Sequence, residues 1–112
     1  MAEITWDDFD KVDIRVGEVV EAEPFPEARK PSIKLVVDFG ASIGTRRTSA
    51  QLTTYYEPDA LVGRQVVAVV NFPPKRIAGF KSEVLVLGVP DAAGEVVLLT
   101  PDRDVPLGGR MF

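Results

Sequence analysis

The stretch Tyr55-Tyr56-Glu57-Pro58-Asp59-Ala60-Leu61-Val62-Gly63-Arg64-Gln65-Val66-Val67-Ala68-Val69-Val70-Asn71 decides the fold. Pro58 suits a first helical turn, where a missing N–H is no loss, and Gly63 suits the position just past a helix end. The first half therefore predicts a short helix. From Gln65 to Asn71 the residues are almost all apolar and mostly β-branched, the pattern of a buried strand. A short helix leads straight into a core strand, and its neighbours set the topology.

Upstream, Val12-Asp13-Ile14-Arg15-Val16 alternates apolar and polar, and the pattern resumes through Val19 and Val20 after Gly17. A glycine inside a strand pattern predicts a bulge or sharp bend, which a small closed barrel needs. Glu23-Pro24-Phe25-Pro26-Glu27 reads as a loop, Ser32 to Phe39 as a second strand, and Thr45 to Leu52 as a third. Downstream, the paired prolines of Phe72-Pro73-Pro74-Lys75-Arg76-Ile77-Ala78-Gly79-Phe80-Lys81 cannot donate ladder hydrogen bonds, so this segment reads as a loop. Glu83 to Leu87 is a fifth strand. Gly94 to Leu99 is a shorter sixth, paired across Pro90-Asp91-Ala92-Ala93. Before all of these, Thr5 can cap a helix of one or two turns whose first residues are acidic, with Trp6, Phe9 and Val12 on one face.

Three strands, a short helix and two strands is the chain order of the all-β, five-stranded Greek-key barrel of the oligonucleotide/oligosaccharide-binding (OB) type. Small SH3-like barrels lack the helix between strands 3 and 4. The expected architecture is one OB-fold domain over residues 1–112 with short terminal extensions.

Composition narrows the function. The 112 residues are 46% hydrophobic and 27% charged, as in ordinary globular chains. Cysteine and histidine are both absent, so no disulfide, thiolate nucleophile, Cys/His metal cage or imidazole base can be assembled within one chain. Asp7, Asp8, Asp10 and Asp13 lack the order of a calcium loop and fit a helix start better. The expectation is a protein that is not an enzyme, with no catalytic residues, no metal and no cofactor. The acidic opening, Met1 to Asp8, lacks a basic-then-apolar leader, and runs such as Val66 to Val70 are too short to cross a bilayer. A cytoplasmic protein without a membrane span is expected.

The net charge of −4 conceals a strong asymmetry. Residues 1–28 carry −7, residues 29–82 carry +6 and residues 83–112 carry −3. Screening confines each patch to its own neighbourhood, about 8–10 Å at physiological salt, so the central basic stretch acts locally.

Asp13-Ile14-Arg15-Val16-Gly17, Tyr56-Glu57-Pro58 with Leu61-Val62-Gly63-Arg64, and the run from Val69 to Ser82 resemble the tRNA-binding domain appended to some methionyl- and phenylalanyl-tRNA synthetases. Pro24 to Arg29, Ser49-Ala50-Gln51, Asn71-Phe72-Pro73-Pro74 and Arg76 to Leu87 are similar to the stand-alone, CsaA-type branch of that family. The resemblance spans essentially the whole chain, and residues 71–87 are its specific part. It implies an OB-fold homodimer, a chaperone activity linked to protein export on unfolded or precursor polypeptides, and a capacity to bind tRNA. Synthetase-type domains usually carry Ser-x-Gly-Met where this chain reads Ser82-Glu83-Val84-Leu85. That acid on a surface expected to face phosphate favours the chaperone branch.

The candidate peptide- or tRNA-binding residues are Ser49, Gln51, Asn71, Phe72, Lys75, Arg76, Phe80, Lys81 and Ser82. The cations can hold a polyanion while Ile77 and Phe80 offer a stacking or peptide-binding surface. The alternative is a solvated loop with Phe80 tucked into the barrel end. Ser49, Gln51, Asn71 and Ser82 can line a groove or, alternatively, cap loops. Adjacent Arg46 and Arg47 point to opposite faces, so only one can join a groove. Tyr55 and Tyr56 are expected to pack against the helix end. Trp6, Phe9, Leu107, Met111 and Phe112 either fold back on the barrel or pack against a partner.

Overall fold

The computed structural model describes all residues from Met1 to Phe112. It contains α1 (Trp6–Asp10), β1 (Ile14–Pro24), β2 (Ile33–Asp38), β3 (Thr45–Ala50), α2 (Pro58–Leu61), β4 (Gln65–Val69), β5 (Lys75–Ile77), β6 (Phe80–Ser82), β7 (Leu85–Val86), β8 (Gly88–Pro90) and β9 (Val96–Leu98). Five strands form one sheet in the order β3-β2-β1-β4-β7, all neighbours antiparallel. The sheet curls until β3 meets the segment before β7. There the Glu83 N–H donates to the Arg47 carbonyl at 2.8 Å, and the Thr48 hydroxyl donates to the Val84 carbonyl at 2.7 Å. The result is a nearly closed OB-type barrel with the short helix α2 between its third and fourth strands.

Alternation dictates the core. Ile33, Leu35 and Val37 of β2 point inward with Val19, Phe39, Val66 and Ala68, while Leu61 of α2 plugs one end, fully buried. The helix is short because Glu57 is extended, Pro58 starts it and Val62 is again extended. Gly63 takes φ +91° and returns the chain to β1, its N–H donating to the Val19 carbonyl at 2.8 Å. At the start of the chain, Thr5 and Asp8 form a reciprocal capping box on α1.

Four expectations need correction. Gly17 is not the bulge: the register of β1 shifts between Val19 and Glu21. Its glycine is required by close approach, since a Cβ there would lie 2.5 Å from Val37 and 2.8 Å from the Phe39 ring. Glu23 and Pro24 still pair with Lys34 and Ile33, so the loop starts at Phe25; Pro24 is tolerated as the last strand residue. The segment after Pro74 is not a plain loop. Ala78 and Gly79 both take positive φ, the geometry of a two-residue hairpin turn, and β5 and β6 pair across it. Finally, the strand expected from Glu83 to Leu87 keeps only Leu85 and Val86. Glu83 is bonded to Arg47, whereas the Leu87 N–H donates to Val67 and its carbonyl accepts from Leu99.

The C-terminal residues lie beside the first turn of β1. Val16 exchanges bonds with Gly108 and Gly109 at 2.8 and 3.0 Å, and the Met111 N–H donates to the Ile14 carbonyl at 2.8 Å. Arg15 locks this arrangement. Its guanidinium donates to both Asp13 oxygens at 2.6 and 3.2 Å and to the Gly108 carbonyl at 3.0 Å. The hydrogen bond from Arg15 holds the Asp13 carboxyl below the usual carboxylate range; partial desolvation opposes it, and the charges of Arg15 and Arg110 assist. A carboxylate with a depressed folded pKa stabilises fully above its unfolded value, about 3.9, and that stability is lost as pH falls through the folded value. Asp13→Asn should therefore cost about 1 kcal/mol at neutral pH, a low figure for a charged hydrogen bond. Both side chains are 26% exposed, so water screens the pair. The gap between wild type and variant in urea unfolding should be constant near neutral pH and should narrow steadily as pH falls below about 3.9 toward the depressed folded value; a gap that is unchanged on that descent contradicts this account.

Candidate ligand groove and basic hairpin

The nine sequence-predicted site residues fall into three groups. Ser49, Gln51, Phe72, Lys75 and Ser82 lie along a groove between β3, the β5–β6 hairpin and β7. One half, of about 570 Å³, runs under residues 28–32 and reaches Leu52, Val86 and Leu98; the other, of about 370 Å³, is bounded by Phe72, Pro73 and Lys75. Ser49, Ile77 and Leu85 line both halves, so the two adjoin. The floor is aliphatic, and Leu85 remains 49% exposed. Leu85 was missed in the sequence because a strand residue read as core gives no sign of facing a groove. Ile77 stands in the hairpin opposite Phe80.

Arg76 and Lys81 form a second group. They are direct cross-strand partners, so their side chains share the hairpin face opposite that of Lys75, Ile77 and Ser82. Both are exposed, and Arg76 bonds only the Gly79 carbonyl, at 3.3 Å. They do not line the groove.

Phe80 and Asn71 form the third group, and neither is available as a groove wall. Phe80 is 7% exposed, set edge-on to Phe25 with ring centroids 5.4 Å apart. The Lys34 ammonium sits 4.7 and 5.1 Å from the two ring centres, and the Arg47 guanidinium 4.6 Å from Phe80. This cation–π packing pins the 25–32 loop to the hairpin across the outer face of β2 and β3. Asn71 accepts from the Asp13 N–H at 3.0 Å and donates to the Lys11 carbonyl at 2.7 Å, clamping the segment before β1.

Two further expectations change. The Glu83 carboxylate accepts the Arg47 N–H at 3.0 Å and so belongs to the barrel seam rather than to an open phosphate-facing surface. Tyr56 packs against the core and accepts the Leu98 N–H at 3.0 Å, but Tyr55 is 54% exposed and donates to Asp91 in the β8–β9 turn. That hydrogen bond raises the Tyr55 pKa and lowers that of Asp91.

Charge is unevenly neutralised. The four ion pairs use Lys11, Arg15, Arg103 and Arg110 as their cations. None of the nine bases between residues 29 and 82 takes part. At the far side, Ile4, Trp6, Phe9 and Phe112 surround an apolar recess, with Trp6 83% and Phe112 fully exposed. Folding back therefore covers Phe9 and Leu107 partly and leaves Trp6, Met111 and Phe112 in water.

A nearly closed five-stranded barrel with a groove bounded by the loop after its first strand and the hairpin before its last is a barrel of the OB class. Residues 14–110 match the family described as "Putative tRNA binding domain". The chaperone CsaA of Bacillus anthracis superposes with a TM-score of 0.92 at 53% identity, covering 99% of this chain and all of that one. CsaA of Picrophilus torridus gives 0.91 at 51%, covering 98% and 100%. The methionine–tRNA ligase of Methanocaldococcus jannaschii is 39% identical over 99% of this chain, which spans about one sixth of the length of that enzyme (17%). The chain belongs to the tRNA-binding domain family, and within it to the CsaA type.

Proposed function

We propose that the chain is a non-catalytic, CsaA-type chaperone that binds unfolded or precursor polypeptides reversibly for protein export in the cytoplasm. In this reading residues 1–112 act as one domain whose two ends pair it with a second copy. The observation that carries the proposal is the pair of adjoining groove halves, with an aliphatic floor at Ile77, Leu85 and Leu98 and polar groups at Ser49, Gln51 and Ser82. Apolar side chains of a ligand entering it gain about 25 cal/mol per Å² buried, and the polar rim tolerates many sequences. The exposed recess at Ile4, Trp6 and Phe112 would be covered by the second copy, placing two grooves on one particle.

A second reading, tRNA binding, is favoured by a different feature. Arg76 and Lys81 stand side by side with no carboxylate partner, as a phosphate-contacting pair would. One titration separates the two ligands. With about four phosphate contacts, tRNA affinity should fall about 100-fold between 50 and 200 mM salt, and Arg76→Ala or Lys81→Ala should each lower the log–log slope by about one. Binding of a reduced and carbamidomethylated small protein of near-zero net charge should change by no more than about twofold over the same range. Polypeptide binding as salt-dependent as that of tRNA would contradict the groove reading.

A further inference from the structure

One hairpin separates the groove from the basic face. Successive residues of a strand direct their side chains to opposite faces, and cross-strand partners share a face. Lys75 pairs with Ser82 and Ile77 with Phe80, and Lys75, Ile77 and Ser82 all line the groove. Arg76 and Lys81, the pair between them, stand on the reverse. Both are exposed, and neither takes part in an ion pair. The two faces meet at β5, where Lys75 bounds the groove and the next residue, Arg76, points away from it. That strand is an open border. On one side β6 lies against β3, the Ser82 and Thr48 hydroxyls 3.1 Å apart. On the other, β5 pairs with β6 alone, and no further main-chain hydrogen bond involves Lys75, Arg76 or Ile77. The groove half bounded by Phe72, Pro73 and Lys75 therefore runs out at a free edge, with two uncompensated cations just beyond it.

We propose that the preferred ligand is a polypeptide still joined to tRNA, with the peptide in the groove and phosphates of the tRNA 3′ end on Arg76 and Lys81 across β5. This rests on both readings above, the polypeptide groove and the phosphate-contacting pair, and assigns them to one molecule. The chemistry of each face suits one part. The aliphatic floor takes peptide side chains, and the unpaired cations take phosphates. The connection fits as well. In such a molecule the peptide's carboxyl end is esterified to the 3′ nucleotide, so apolar side chains and phosphates lie close together. A chain packed on one face of a sheet runs about 10 Å from it. About three extended residues, at about 3.3–3.6 Å each, bring the peptide back to the plane of the hairpin at the edge of β5. The ester and the 3′ nucleotide then continue onto the reverse face. A single amino acid on the tRNA is too short to enter the groove while the phosphates stay on Arg76 and Lys81. Once one part is held, the other binds intramolecularly, so the joined ligand exceeds the affinity of either part.

The test compares four fluorescein-labelled ligands on the wild-type protein at one low salt concentration. They are tRNA with a free 3′ hydroxyl, the same tRNA carrying one leucine through a stable amide, the same tRNA carrying an octapeptide that alternates leucine with serine, and the octapeptide alone. The octapeptide conjugate should bind at least about tenfold more tightly than either free tRNA or free peptide, and the leucine conjugate less than about twofold more tightly than free tRNA. Ile77→Ser with Leu85→Ser should return the octapeptide conjugate to the affinity of free tRNA, and Arg76→Ala with Lys81→Ala to that of free peptide. The gain should persist in Trp6→Ser with Phe112→Ser; its loss there would put the two parts on different copies and overturn the one-hairpin assignment. A conjugate no tighter than the better of its parts would overturn joint binding and leave both separate sites standing. An equal gain from one leucine would overturn it too, since the groove would not be involved. Failure of free octapeptide to bind would overturn the polypeptide reading itself, and failure of free tRNA the phosphate reading.

Discussion

Ile77→Ser combined with Leu85→Ser is expected to weaken binding of an unfolded polypeptide by about 100-fold while changing tRNA affinity by no more than about twofold. Both residues line the two halves of the groove, so no bound segment could avoid them. Truncating a side chain that a ligand buries forfeits about 0.8 kcal/mol per methylene, and two such losses per residue give about tenfold at each site. The fold should survive, because Leu85 is already half exposed and Ile77 is only partly buried in a hairpin outside the main sheet. Neither substitution changes charge, so the phosphate term of tRNA binding is untouched. Fluorescence anisotropy with both ligands on one preparation checks the result. Equal losses for both ligands would mean that they share the aliphatic floor, contrary to the assignment of tRNA to the Arg76–Lys81 face.

Trp6→Ser with Phe112→Ser is expected to convert the proposed dimer to a monomer at micromolar concentration, raising its dissociation constant more than about 100-fold. Trp6 is 83% exposed and Phe112 fully so, and with Ile4 and Phe9 they surround one apolar recess. Large aromatic residues in the centre of an interface commonly cost about 2 kcal/mol or more each when truncated. Neither makes a contact that the monomer needs, so thermal stability of the monomeric variant should stay close to that of its own fold. Sedimentation velocity of the two proteins distinguishes the outcomes. A wild-type chain that sediments as a monomer removes the second copy from the account.

The barrel was legible because its information is local. Alternation in Ile33 to Phe39, the Pro58 start with Gly63 beyond the end, and the Thr5 cap each state their structure within a few residues. What was illegible depends on partners distant in the chain. Asn71 reads as a groove residue or a cap, and only its partners Lys11 and Asp13, 60 and 58 residues away, decide for the cap. Phe80 lies among cations in the sequence, as a stacking residue would. It is buried because Phe25, Lys34 and Arg47 converge on it from three other elements. The Ala78–Gly79 turn was local and readable, but the prolines before it drew the whole segment into one loop. Leu85 had no signal, since facing an incompletely closed seam depends on where β3 stops.

Backbone amide spectra of the isotope-labelled protein, recorded as an unlabelled unfolded peptide is added, bear most directly on whether the open side of the barrel receives polypeptide. The amides of Ser49, Gln51, Ile77 and Val86 should shift together and saturate with one affinity, and those of Arg76 and Lys81 should stay nearly in place. Shifts confined to the outer hairpin face, or to the recess around Trp6, with Ser49 and Val86 unmoved, would contradict it.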